Sequence, residues 1–185
     1  MSALKNQDKA GEAEQLARRF LIVYDASSID TWHGYTSFTI ELAECLSAQG
    51  KPEEAEPLFR EMVEWLEKVL EPEHPLSWRV NDALALLLFN NEQYAAAEKV
   101  IRRVLGKREV VRGLDHPETL GSVYALACTL HSQELLAEAE PLYRRAMEGD
   151  EKVLGSQHPE SMDISLCLHM LLGDKMRLKN STSEP

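Results

Sequence analysis

The sequence predicts an all-α superhelix of about eight antiparallel helices. Three observations carry that reading. A His-Pro pair recurs at His74-Pro75, His116-Pro117 and His158-Pro159, in two steps of 42 residues. Other residue types keep the same register: Ala13-Glu14, Ala55-Glu56, Ala97-Glu98 and Ala139-Glu140, and Leu42, Leu84, Leu126 and Leu168. Each period holds two helical patterns, as in Val123, Leu126, Ala127 and Leu130, then Ala139, Leu142, Tyr143, Ala146 and Met147. Several independent residue types do not hold one register by chance, and a period of about 20–50 residues means stacked supersecondary units.

The elements follow in order. A helix over 9–25 carries Ala13-Glu14 and Arg18 in the register of the second helices, so the array opens on a half-unit. A first helix over 35–49 holds Leu42 and Leu46 and stops at Gly50-Lys51-Pro52, with Pro52 suited to the first helical position. The second helix, 52–70, ends at Glu71-Pro72. Helices over 76–91 and 118–133 follow His-Pro pairs, where proline needs no N–H partner. Helices over 94–112 and 136–154 run into Gly113 and Gly155, the residue type that ends helices in the left-handed conformation. The last helix, 160–177, contains "MDISLCLHMLL", apolar nearly all round. The expected organisation is one domain, 1–178. It comprises a half-unit 9–25, full units 32–73, 74–115 and 116–157, and a final half-unit 158–177. The tail 179–185 is expected to be disordered.

Composition narrows the function. The chain has 185 residues, a net charge of −11 and 44% hydrophobic residues, with 9 Gly and 8 Pro. This charge opposes binding to nucleic acid or anionic lipid, which need a cationic surface. No apolar run is long enough to span a membrane, and the first residues lack a signal-peptide core. The expectation is a cytoplasmic protein. Cys45, Cys128 and Cys167 are an odd number in apolar helical stretches, which fits buried free thiols better than disulfides.

Three evenly spaced histidines could be metal ligands or punctuation. Equivalent points on neighbouring helices lie roughly 8–10 Å apart, whereas zinc holds its nitrogens about 2.0–2.1 Å from one centre. Punctuation is therefore favoured, and neither metal nor cofactor is expected. The pairs Glu14-Arg18, Glu56-Arg60, Glu98-Arg102 and Glu140-Arg144 are spaced i, i+4 with the acid first. That order supports an exposed helix by roughly 0.2–0.5 kcal/mol per pair; a partner-binding arginine stripe is the alternative.

The stretch "HPETLGSVYALACTLHSQELLAEAEPLYRRAMEGDEKVLGSQHP" closely resembles the 42-residue tetratricopeptide repeat of kinesin light chains. The resemblance covers roughly 10–175 and points to a short, stand-alone repeat protein rather than to kinesin light chain itself. It implies a right-handed superhelix whose first helices line a concave groove, usually for peptides. In that family one or two asparagines precede the Leu-Ala pair and hold the peptide backbone. Here those positions are Ile40-Glu41, Asp82-Ala83, Tyr124-Ala125 and Leu166-Cys167, so the groove chemistry departs from the family pattern.

The family fold then implies the groove face: Ser37, Ile40, Glu44 and Ser47; Arg79, Asp82, Leu86 and Phe89; Gly121, Tyr124, Cys128 and His131; Asp163, Leu166 and Met170, with Trp78 at the rim. Three readings remain open for this face: plain packing, a groove for a peptide or protein segment, and a pocket for an apolar small molecule. The primary function expected is a non-catalytic interaction scaffold. The alternative is a small-molecule-binding protein or a cofactor-independent isomerase or cyclase. Its acid/base candidates are Asp82, His131, Glu44 and Tyr124. No P-loop, dinucleotide fingerprint or nucleophile elbow is present in the sequence. The apolar final helix is expected to pair in a homodimer, unless the tail "GDKMRLKNSTSEP" covers it.

Overall fold

A computed structural model describes residues 39–43, 45–46, 49–70, 74–153, 155 and 158–181. The expected helix 9–25, Ser37, Glu44, Ser47 and residues 182–185 lie outside the described residues. Every regular element among the described residues is helical. Residues 39–43 and 45–46 are helical. Six complete helices follow: α1 (Pro52–Val69), α2 (Pro75–Asn90), α3 (Tyr94–Val111), α4 (Pro117–Ser132), α5 (Leu136–Val153) and α6 (Pro159–Ser181). The first five match the expected bounds to within one residue at each end.

By contacts the chain forms two compact units, Met1–Glu92 and Gln93–Pro185. The division falls between the two helices of the expected repeat 74–115. In the first unit α1 packs against α2. Its core includes Ala55, Phe59, Met62 and Leu66 from α1, and Val80, Leu84 and Leu88 from α2. In the second unit α3 packs on α4, α4 on α5 and α5 on α6, with a lighter contact between α4 and α6. Val123, Leu126, Ala127 and Leu130, the expected core face of α4, are all buried, as are Ala139, Tyr143 and Ala146 on α5. These are the i, i+3, i+4, i+7 positions of amphipathic helices, so burial of one stripe drives the stack.

The His-Pro pairs start helices. His74 and His116 are N-caps in extended conformation, followed by proline at the first helical position. Each uses its own Nδ1 as the capping acceptor, at 3.2 Å from the N–H of Leu76 or Glu118. A backbone donor that the helix leaves unpaired is thus satisfied by the ring. The turns between paired helices also repeat. Gly50, Glu92 and Glu134 share one register and all have positive φ, at 73°, 60° and 62°. Lys51 N–H reaches the Leu46 carbonyl at 2.9 Å, and Leu135 N–H reaches that of Leu130 at 2.9 Å. These are the closing bonds of a helix that ends in a left-handed residue. Gly113 and Gly155 end α3 and α5 with φ of 95° and 88°.

Polar links tie successive helices. The expected acid-first ladder forms at Glu56–Arg60 and Glu98–Arg102, each at 2.8 Å, and at Glu140–Arg144. Gln133 donates to Glu98 at 2.8 Å, and Lys175 pairs with Glu140. The Gln133 bond, followed by Arg102, holds the Glu98 carboxyl below its usual range. Lys175 and then Arg144 do the same for Glu140. Arg145 reaches Glu109 at 2.6 Å and the Leu114 carbonyl at 3.1 Å, fastening the loop after α3 onto α5.

Three expectations are corrected. The last helix does not stop at residue 177 but runs to Ser181, so 179–181 are helical rather than part of a disordered tail. Helices α2 and α4 have 16 residues, whereas α6 has 23. In the repeat register the turn would fall at Lys175-Met176-Arg177. A left-handed methionine is unfavourable there, and Lys175 to Leu178 are good helix formers, so the helix continues. Trp78, expected at a rim, is 4% exposed and belongs to the core. It sits beside Ser77 at the start of α2, on the turn that α2 buries. The three cysteines are free, but each is half-buried rather than fully buried.

Candidate functional site

The second unit holds a polar seam that joins three helices. Helix α4 supplies Tyr124, Cys128 and His131, spaced i, i+4, i+7 so that one stripe carries all three. Helix α5 supplies Tyr143, and α6 supplies Cys167 and Asp174, again seven residues apart. The Tyr124 hydroxyl lies 3.3 Å from Cys167 Sγ. The Tyr143 hydroxyl lies 3.4 Å from His131 Nδ1, and His131 Nε2 lies 3.2 Å from Asp174 Oδ2. The Tyr143 ring meets Tyr124 and His131 edge-on, with centroids 5.9 and 6.0 Å away. The Cys128 thiol lies near both tyrosine hydroxyls.

A carboxylate can only accept, so one donor direction fits the histidine. Nε2–H donates to Asp174, and Nδ1 accepts from the Tyr143 hydroxyl. Both ring nitrogens are then engaged. Burial pushes both tyrosine hydroxyls far up, with the bond to Cys167 adding to the effect on Tyr124 and the nearby Cys128 thiol adding on Tyr143. Burial also raises the Cys128 thiol, against a lowering effect of the nearby Tyr143 hydroxyl. The phenols and this thiol therefore stay protonated near neutral pH and serve as hydrogen-bonding groups. Beside the seam, His131 and Asp174 line a cleft of about 570 Å³ with Ser132, Glu134, Leu136, Arg177 and Leu178. An adjoining cleft of about 410 Å³ shares Glu134, Leu136 and Leu178 and adds Leu135, Ala137, Glu138 and Lys175. Among the described residues no group of three or more His, Cys, Asp or Glu could hold a metal ion.

The expected groove residues divide by environment. Arg79, Asp82 and Leu86 are exposed on α2 and Phe89 is half-buried, all in the first unit. Tyr124, Cys128 and His131 are brought together, half-buried in the seam. Leu166 and Met170 are exposed on α6. Of the four acid/base candidates, Tyr124 and His131 share one network. Asp82 belongs to the other unit, and Glu44 lies outside the described residues. Sequence reasoning missed Tyr143, Cys167 and Asp174. A signal for them existed: both first-helix bonds, Tyr124–Cys167 and His131–Asp174, join residues 43 apart.

A family model described as the tetratricopeptide repeat matches residues 35–105 and again 78–152, and together these cover more than half of the chain. The chain belongs to the tetratricopeptide-repeat family. No curated protein matches it. Solved tetratricopeptide structures share its fold. BtubC (BKLC) from P. vanneervenii is similar over 95% of this chain and 68% of its own, with a TM-score of 0.74 and 17% identity. Two structures come from a Podosopora anserina protein described as a kinesin light chain with nearly identical TPR-like repeats. One, a single-residue variant of that protein, is similar over 95% of this chain and 93% of its own, with a TM-score of 0.70 and 20% identity. The other is similar over 99% and 94%, with a TM-score of 0.69 and 21% identity. At these identities the likeness is one of fold. The tetratricopeptide-repeat fold is in general a scaffold for protein interaction, and among the described residues no helix is long and apolar enough to cross a membrane.

Proposed function

We propose that the chain is a non-catalytic interaction scaffold that takes a peptide or protein segment on the first-helix face, with a second copy of the chain engaging the last helix. The observation that carries the reading is on α2. Leu86 is 61% exposed, with Asp82 and Arg79 exposed on the same side at i−4 and i−7. An apolar handle flanked by both charge signs suits an extended segment that presents an apolar side chain between polar ones. Phage-displayed peptides selected on the full chain would test this. Peptides recovered on the wild type should bind Leu86→Asp and Asp82→Ala about 10-fold more weakly or worse, a difference of about 1.4 kcal/mol. Equal binding to both variants, with their helical signal intact, would sink the reading.

A second reading has one observation behind it. The cleft beside His131 and Asp174 is large enough for a small molecule and carries an acid/base pair. Both nitrogens of His131 are occupied within the protein, which favours the scaffold. A compound that raises the melting temperature of the wild type but not of His131→Asn would favour the small-molecule reading instead.

A further inference from the structure

We propose that the edge of α5 carrying Arg144 and Glu151 takes residues 9–25 of a second copy of this chain, so that copies join head to tail. The edge of α3, one repeat earlier, shows how such an edge is covered. Arg102 on α3 donates to Glu138 on α5 at 3.2 Å, and Arg145 on α5 donates to Glu109 on α3 at 2.6 Å. Helix α3 thus offers a cation and then an acid, seven residues apart on one stripe. Helix α5 answers with an acid and then a cation, Glu138 and Arg145, at the same spacing. One repeat on, α5 makes the same offer with Arg144 and Glu151. Both are exposed, and among the described residues no second helix of a repeat follows α5 to answer them.

The register identifies the occupant. The positions of Glu138 and Arg145 hold Glu54 and Glu61 on α1, Ala96 and Arg103 on α3, and Glu12 and Arg19 in the segment 9–25. Helix α1 would set Glu61 against Glu151, and α3 has no acid for Arg144. Of these three segments, 9–25 alone supplies both charges in the right order. Its Glu12 meets Arg144 and its Arg19 meets Glu151, as Glu138 meets Arg102 and Arg145 meets Glu109. An apolar stripe goes with them, since Ala13, Leu16 and Ala17 stand at the positions of Ala139, Leu142 and Tyr143.

The seat continues onto α6, with Leu168 and Leu172 at the positions of Leu126 and Leu130. Ser165 and His169 lie beside them, so this seat is poorer than the one α4 gives α5. His169 Nδ1 is already satisfied by the Ser165 carbonyl at 2.8 Å, which limits the cost. One docked helix buries less than the roughly 1,600 Å² of a standard interface, so association is in the micromolar range. The charge pairs choose the partner and its direction. The contact joins unlike surfaces, so a copy that receives a segment still offers its own, and the assembly grows as an open chain or closes as a ring.

The pairing rests on the second-copy part of the scaffold reading, and its failure would leave peptide binding at Leu86 untouched. Sedimentation velocity of the full chain from about 5 to about 500 micromolar tests it. The mass should rise with concentration from 20.9 kDa to beyond twice that value. Arg19→Glu and Glu151→Arg should each weaken association about 10-fold. Glu151 is exposed in the last turn of α5, where arginine suits the helix end, so that variant keeps its helical signal. The two changes made together restore opposite charges and should recover association. A mass fixed at 20.9 kDa throughout sinks both the pairing and the second-copy reading. Assembly that stops at two copies, that survives both single changes, or that the combined change fails to recover overturns the pairing alone.

Discussion

Leu120 fills the space that Gly149 leaves by having no side chain. A β-carbon on Gly149 would lie 2.5 Å from both terminal carbons of Leu120, and both residues are buried. Gly149→Ala gains about 1 kcal/mol of helix propensity but overpacks a filled core at about 1–3 kcal/mol. The net expectation is destabilisation, read as a lower urea midpoint. In a Leu120→Ala background the clash is gone, and Gly149→Ala should turn neutral or stabilising. An equal loss in both backgrounds would refute the pairing.

Asn91 shares the register of Gln133 and Lys175, which reach Glu98 and Glu140. Among the described residues the buried Asn91 side-chain nitrogen has no hydrogen-bond partner. Its register acceptor is Glu56, and asparagine is one methylene shorter than the glutamine that reaches Glu98 in the next repeat. Asn91→Gln should add the missing bond and raise stability by about 0.5–1.5 kcal/mol in thermal or urea unfolding. A lower midpoint would show that the longer side chain finds no room.

Glu92 and Glu134 hold the left-handed conformation that Gly50 supplies in the same register. Glu92→Gly and Glu134→Gly should each stabilise by about 0.5–1 kcal/mol, and Gly50→Ala should cost about 1 kcal/mol. Matched calorimetry of the three variants checks the signs, and a loss in both glutamate variants would refute the argument.

Ser77, Thr119 and Ser161 also share a register, and their buried hydroxyls have no hydrogen-bond partner among the described residues. Thr119→Val keeps the shape and removes the orphaned group. It should be neutral or stabilise by up to about 1 kcal/mol, where a bonded threonine would cost stability on the same change.

Glu98 has its carboxyl held low, first by Gln133 and then by Arg102. A folded pKa below the unfolded one contributes stability that is present above the ordinary value of 4.5 and is lost as pH falls through the folded value. Gln133→Ala removes the largest cause. Urea midpoints should therefore fall less steeply below pH 4.5 in Gln133→Ala than in the wild type, with both titrated in parallel. Identical acid limbs would show that the bond does not act on Glu98.

Much of this was legible before any coordinates. The 42-residue register located five helices nearly to the residue, the capping histidines and the acid-first ladder, because those features are set within about one turn of chain. Trp78 was misplaced because its neighbour spacing fits either a rim or a core, and only packing decides. The turn expected near residue 177 failed because α6 has no following helix among the described residues to reward it. Tyr143 and Asp174 were missed because their roles depend on how one repeat is offset on the next, which a single period does not state.

That offset has a consequence for growth of the chain. In the second unit, the polar links between helices join residues 12, 14, 35, 36 or 43 positions apart. None needs a partner two repeats away. A tandem duplication of 116–157 would therefore meet Glu140 with Gln133 and Glu151 with Arg145 at the new junction, whereas Tyr124 and His131 of the first copy would face Ala125 and Ser132 of the second in place of Cys167 and Asp174. Architecture of this kind lengthens by copying, with the salt links handed on at once and only the tyrosine and histidine partners left to be fitted.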